Sequence, residues 1–317
     1  MNPALPHFVE DLGHGVFTVD TGFHRPRFDA AFLIVQGGRA AFIDTGPNHA
    51  VPRLLDALAA LGLARDAVDF VIPTHVHLDH AGGAGLLMQE CPRATMWVHP
   101  RGARHMIDPT ALIAGATAVY GAADMARSYG TLVPVPSARV RTTTDGMALT
   151  LGGRPLRFAD TPGHARHHHC IWDEATRGWF TGDTFGLSYR EFDTALGPWI
   201  VPTATPVRFE PEDLRVSIGR LLAAQPACMY LTHFGRVEDV LRLGALLLSL
   251  LDEITALGRA MRAAPDRHEA LKRGQLDIFA RSLAVHGCVL GRPRIAELLA
   301  SDLELNAQGM AIWLDRN

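Results

Sequence analysis

Two short runs hold most of the side chains that could do chemistry. Residues 74–80 read THVHLDH and residues 161–170 read TPGHARHHHC. In the first, His75 and His77 stand two apart behind an apolar stretch (DFVIPTH, 69–75). At the end of a buried strand both imidazoles can reach one metal ion, while Asp79 and His80 can turn toward a second ion close by. Neutral imidazole and carboxylate suit Zn²⁺, Fe²⁺ or Mn²⁺. Three more ligand-type residues fall where other strands are expected to end: His164 in TPGH, Asp183 in FTGD and His233 in YLTH. A polar loop of hydrogen-bonded histidines does not explain that recurrence.

Strands and helices must position these groups. Residues 15–45 read as short strands, and the Gly37-Gly38 pair between AFLIV and AAFID is a hairpin signal. HAVPRLLDALAALGL (49–63) carries apolar residues at helical spacing, DFVIPTH is a strand, AGGAGLLMQE a helix and ATMWVHP a strand. The second half repeats the layout. ALTLGGRPLRFADTPGH (148–164) is another Gly-Gly hairpin leading to a histidine, followed by HHHCIWD and RGWFTGD as strands, EDLRVSIGRLLAAQ as a helix and ACMYLTH as a last strand. Residues 101–135 mix helix and loop signals and suit a lid, and the proline- and aromatic-rich stretch 185–212 suits a functional loop. Beyond Val237 the chain reads as helical.

Bulk properties narrow the partners. The 317 residues are 48% hydrophobic, enough for a substantial core, and 30 basic against 33 acidic residues give a net charge of −3. That balance supplies no footprint for nucleic acid or an anionic membrane, so a small-molecule substrate is expected. The first residues lack a basic stretch followed by an apolar one, no apolar run is long enough to span a bilayer, and a cytoplasmic location is expected. Cys91, Cys170, Cys228 and Cys288 are widely spaced, which fits reduced thiols better than disulfides. Sixteen histidines are the unusual count.

In order along the chain, FIDTG, HVHLDH, TPGH, TGD and LTHFG resemble the motifs of the metallo-β-lactamase fold superfamily over residues 15–235. The resemblance implies an α/β fold, an αββα sandwich of two mixed sheets flanked by helices, with residues 1–236 as the catalytic domain and 237–317 as a helical C-terminal extension. It also implies two divalent metal ions, zinc first and iron or manganese as alternatives. His75, His77 and His164 would bind one ion, Asp79, His80 and His233 the other, and Asp183 would bridge them. Asp44 would orient a ligand histidine through its second ring nitrogen, the competing reading being a cap on the following turn. Strand alternation across HHHCIWD sends His168 and Cys170 to one face and His167 and His169 to the other, with His168 the candidate to back a ligand.

The expected chemistry is hydrolysis. A hydroxide bound between two metals attacks the carbonyl of a small carboxylic ester, lactone or thioester, and Asp79 helps move a proton to the leaving group. In the 185–212 loop, Tyr189 could donate to an oxyanion and Arg190 could clamp a carboxylate. Missing leader features and His80 at the second site argue against a secreted β-lactamase. Phosphotriester hydrolysis on the same metals and a persulfide dioxygenase-like oxidoreductase with one iron are the alternatives. The apolar LGALLLSLL segment, including Leu247 and Leu248, is a candidate homodimer surface.

Overall fold

The computed structural model describes residues 5–206 and 208–316. The chain divides into two compact units: unit 1 is Met1–Asp160, His167–Gly182 and Cys228–Arg236, and unit 2 is Thr161–Arg166, Asp183–Ala227 and Val237–Asn317.

Among the described residues, unit 1 is built on two mixed sheets. The first has seven strands in sequence order: β1 (Val9–Asp11), β2 (Val16–Asp20), β3 (Ala30–Gln36), β4 (Arg39–Ile43), β5 (Val68–Ile72), β6 (Thr95–Val98) and β7 (Val140–Thr142). The second has six: β8 (Ala148–Leu151), β9 (Arg154–Asp160), β10 (His169–Asp173), β11 (Gly178–Gly182), β12 (Cys228–Leu231) and β13 (Gly235–Val237), ordered β13-β12-β11-β10-β9-β8. Both expected Gly-Gly hairpins form. Gln36 pairs with Arg39 and Leu151 with Arg154, and Gly37, Gly38, Gly152 and Gly153 all have positive φ, as a two-residue hairpin turn requires.

Alternation along the strands separates two cores. From β3, Ala30, Phe32 and Ile34 face the second sheet and meet Leu156, Phe158, Phe180 and Tyr230, with the Phe32 ring 5.2 Å from Phe180 and 5.6 Å from Tyr230. Ala31 and Leu33 face the other way, with Phe42, Val68 and Val71. That outer core is covered by α1 (Val51–Ala60) through Leu54 and Leu58, by α2 (Leu78–Ala81) through Ala81, by α3 (Ala84–Glu90) through Leu87 and Met88, and by α4 (Pro100–Ile107) through Met106. The segment expected as a lid continues as α5 (Thr110–Tyr120) and α6 (Ala122–Ser128).

Unit 2 contains α7 (Pro211–Ala223) and the helical tail, α8 (Val240–Met261), α9 (Arg267–Val285), α10 (Arg292–Leu298) and α11 (Ala300–Arg316). Helices α8, α9 and α11 pack on one another and α7 packs on α8. The 185–212 segment takes part in this core. Trp199 is fully buried between Phe192 and Phe279, and its indole donates to Ser282 Oγ at 2.9 Å. Leu247, one of the residues considered for a dimer surface, is buried inside unit 2 beside Gly186. The fold class is therefore the expected one, α/β with two mixed sheets and a helical C-terminal region. No described helix is long and apolar enough to cross a membrane.

Candidate metal centre

In unit 1 the ligand candidates gather where β5 and β12 end. Beyond Ile72 the chain runs through Pro73, Thr74 and His75 and then winds into the single turn of α2, which carries Asp79 and His80. That turn sits close to its neighbours: a Cβ on Gly82, directly after it, would lie 3.3 Å from Pro47 Cα, and Thr45 N donates to His80 O at 2.8 Å. His233 follows β12 two residues on.

Asp79, His80 and His233 form a group whose donor atoms lie within 4.8 Å of one another. Asp79 Oδ2 is 3.8 Å from His80 Nε2 and 3.4 Å from His233 Nε2. In both histidines the remote ring nitrogen is already engaged: His80 Nδ1 is 2.8 Å from Asp44 Oδ2, and His233 Nδ1 is 2.8 Å from Phe28 O. Each of these acceptors fixes Nδ1 as the protonated nitrogen and turns Nε2 toward the common point. His75 Nε2 and His77 Nδ1 approach to 2.9 Å, so these two imidazoles also converge. His75 and His80 are buried, whereas the Asp79 side chain keeps 23% exposure, the open side of the cluster. Unit 2 separately carries His164 and Asp183. His164 Nδ1 lies 2.7 Å from Thr203 Oγ1, and its Nε2 lies 3.4 Å from Asp183 Oδ2.

Asp44 is the hub beneath the unit 1 cluster. It is fully buried, has a left-handed φ of 55°, and accepts from Thr74 N at 2.7 Å, Thr74 Oγ1 at 3.0 Å, Thr232 Oγ1 at 2.8 Å and His80 Nδ1. One carboxylate thus ties the ends of β4, β5 and β12 to α2. Thr74 and Thr232 were not singled out in the sequence as site residues, nor was Thr203. The first two were detectable, because each stands directly before a candidate ligand in a Thr-His pair.

The three histidines after His164 surround His75 and the loop that carries it. β10 begins at His169, so strand alternation does not extend to His167 and His168. His168 is buried with its ring stacked on His75, centroids 4.8 Å apart. His167 Nδ1 accepts from Val76 N at 3.4 Å, and burial, followed by the neighbouring His77, holds its pKa well below the usual histidine range. His169 is 2.9 Å from both Thr143 Oγ1 and Pro73 O, partners that suit one neutral tautomer, and burial lowers its pKa to about 3.

Tyr189 and Arg190, expected to touch substrate, are engaged inside unit 2. The buried Tyr189 hydroxyl donates to Asp302 Oδ1 at 3.1 Å, and Arg190 donates to Ser188 O and pairs with Asp193 at 3.4 Å.

A family profile for the metallo-beta-lactamase superfamily matches residues 24–233, about two thirds of the chain, and the chain belongs to that superfamily. Among relatives, a Bos taurus acyl-coenzyme A thioesterase is 26% identical over 60% of this chain and 68% of its own length. An Aspergillus fumigatus atrochrysone carboxyl ACP thioesterase is 29% identical over 48% of this chain, which spans only 38% of that protein. Among solved structures, a metallo-beta-lactamase family protein from Thermus thermophilus superposes with a TM-score of 0.67 at 21% identity, covering 96% of this chain and 95% of the other.

Proposed function

We propose that this chain is a metal-dependent thioesterase acting on the acyl thioester of a carrier thiol. The observation that carries the reading is the Asp79–His80–His233 group, whose histidines both have their second ring nitrogen committed, as ligands to a divalent cation require. The donor set of imidazole and carboxylate fits zinc, and also iron or manganese. His75 and His77, from the same unit, would add two further imidazoles beside that group. Such metals supply a Lewis acid and an activated water near neutral pH.

The protein's own groups would then do the following. Asp44 holds His80 in one tautomer, and Phe28 O does the same for His233. Asp79, the most open carboxylate of the cluster, moves a proton to the departing thiolate. Thioesters are favoured over other esters and lactones because relatives are named thioesterases, one for acyl-coenzyme A and one for an acyl carrier protein.

The test is metal analysis of the purified protein together with turnover of a panel of esters, lactones, thioesters, phosphotriesters and persulfides. Tightly held metal and preferred thioester turnover are expected, both lost in His77→Ala. A folded, fully active His77→Ala protein overturns the metal reading. Iron content with oxygen uptake on a persulfide, or preference for a phosphotriester, overturns the thioesterase reading.

A further inference from the structure

A second group of titratable side chains lies within unit 1, around a cavity of about 200 Å³. Four stretches of chain wall it: His99 just after β6, residues 143–145 between β7 and β8, the end of β9 at Phe158 and Asp160, and His169 at the start of β10. Hydrogen bonds tie these stretches together. Thr143 N donates to Val98 O at 3.1 Å, Thr143 Oγ1 lies 2.9 Å from His169 Nδ1, and Asp160 N donates to Asp145 Oδ1 at 2.9 Å. His99 completes the ring. Its Nδ1 caps α4 by accepting from Arg101 N at 3.2 Å, which leaves Nε2 to donate to Asp160 Oδ1 at 3.2 Å. The walls are therefore set in advance, and a preformed concave site spends little ordering entropy on its ligand.

The lining favours positive charge. Asp145 is exposed and the Asp160 side chain keeps 48% exposure, so both carboxylates can be reached from solvent. Among the described residues, the lining holds no Lys or Arg. The rings of Phe158 and His169, buried and 4.9 Å apart, form its inner wall. Carboxylates accept from the N–H groups of an ammonium or guanidinium ion, and aromatic faces attract the same cations. A bare metal ion is a poorer match. Among the described residues, the His, Cys, Asp and Glu groups whose donor atoms converge closely enough for a metal include none of His99, Asp145 and Asp160.

We infer that this cavity is a second ligand site of the protein, for a small organic cation of the alkylammonium or guanidinium class. Asp145 and Asp160 hold the charged head, and Phe158 and His169 meet the carbon attached to it. The site is independent of the reaction proposed above. It backs onto the loop of the metal cluster, because His169 Nε2 also lies 2.9 Å from Pro73 O and His169 N donates to Thr74 O at 2.9 Å.

The test titrates butylammonium into the full chain, with butanol and butyrate as its neutral and anionic counterparts, and follows binding by calorimetry and by the ring signals of His99 and His169 in NMR spectra. The cation is expected to bind about tenfold more tightly than either counterpart and to shift both rings while His268 of unit 2 stays unmoved. Asp145→Asn and Asp160→Asn keep an oxygen acceptor for Asp160 N and for His99, and each is expected to weaken binding about fivefold. Thr144→Trp, at an exposed lining residue, should block the cavity and abolish binding. Glu10→Gln, which removes an exposed carboxylate on β1, should bind like the unmodified protein. Equal binding of the three probes, or unmodified affinity in both Asn variants and in Thr144→Trp, overturns the site. Displacement of butylammonium by an equal concentration of calcium assigns the cavity to a metal ion and overturns the organic cation.

Discussion

At the scale of single residues, the candidate centre depends on which protonation state each buried imidazole can hold. His169 is the clearest case: its two partners suit a neutral ring, and burial holds its pKa near 3 against an ordinary 6.5. An unfolded chain therefore takes up a proton here as the pH falls through 6.5, whereas the folded one does not until near 3. The stability tied to a neutral His169 is complete above pH 6.5 and declines as the solution is acidified, with a slope approaching about 1.4 kcal/mol per pH unit. His169→Gln, which removes the titration, is expected to give a shallower fall in urea midpoint between pH 6.5 and 4.5, measured on metal-free protein so that ligand protonation does not contribute. Equal slopes in the two proteins would remove His169 as the source of the acid sensitivity. The same scale marks what a sequence shows and what it hides. The candidate ligands stand out by type and spacing, and Asp44 is visible in FIDTG. Its choice between capping a turn and holding a histidine depends on the 36-residue separation that folding closes to 2.8 Å.

At the scale of elements, loops and strand ends set the precision of the site, and glycine permits their closest approaches. Gly182 ends β11 with φ +46°, and a Cβ there would lie 2.5 Å from Thr74 Oγ1 and 2.6 Å from His168 Nε2. Both atoms back the His75 loop: Thr74 ties it to Asp44, and His168 stacks on His75. Gly182→Ala is expected to cost roughly 1–3 kcal/mol of stability by overpacking and to weaken metal retention against a chelator at least tenfold. Gly153→Ala is the control, since its φ of +93° is strained but nothing lies within 4 Å of the added carbon. It should lose stability and keep its metal. Wild-type metal retention in Gly182→Ala would show that the His75 loop is not positioned through this contact. Hairpins and amphipathic elements were legible because their periods of 2 and 3.6 residues, and their Gly-Gly turns, are local. The start of β10 was not, since His169 N is captured by Thr74 O from a loop nearly a hundred residues away. Helix α5 was not resolved from the mixed signals of 101–135 for the opposite reason: it has no polar face, hence no period to read.

For the whole molecule, the division of the candidate ligands matters most. His75, His77, Asp79, His80 and His233 belong to unit 1, while His164 and Asp183 belong to unit 2, within the short insert Thr161–Arg166 and the segment that opens at Asp183. The sequence shows the order of these motifs along one chain but not this partition, because compact units are defined by contacts rather than by adjacency. A metal ion held by the unit 1 group Asp79, His80 and His233 would link metal binding to the folding of that unit. A ligand held only by the native state stabilises it by RT ln(1 + [L]/Kd), about 2.7 kcal/mol at a hundredfold excess over Kd. Calorimetric melting of the metal-loaded chain should then show a transition that chelation lowers. His80→Ala, which removes a donor of the unit 1 cluster, should melt like the chelated protein with or without added metal. A single transition at one temperature with and without chelator would place all bound metal outside the folding equilibrium.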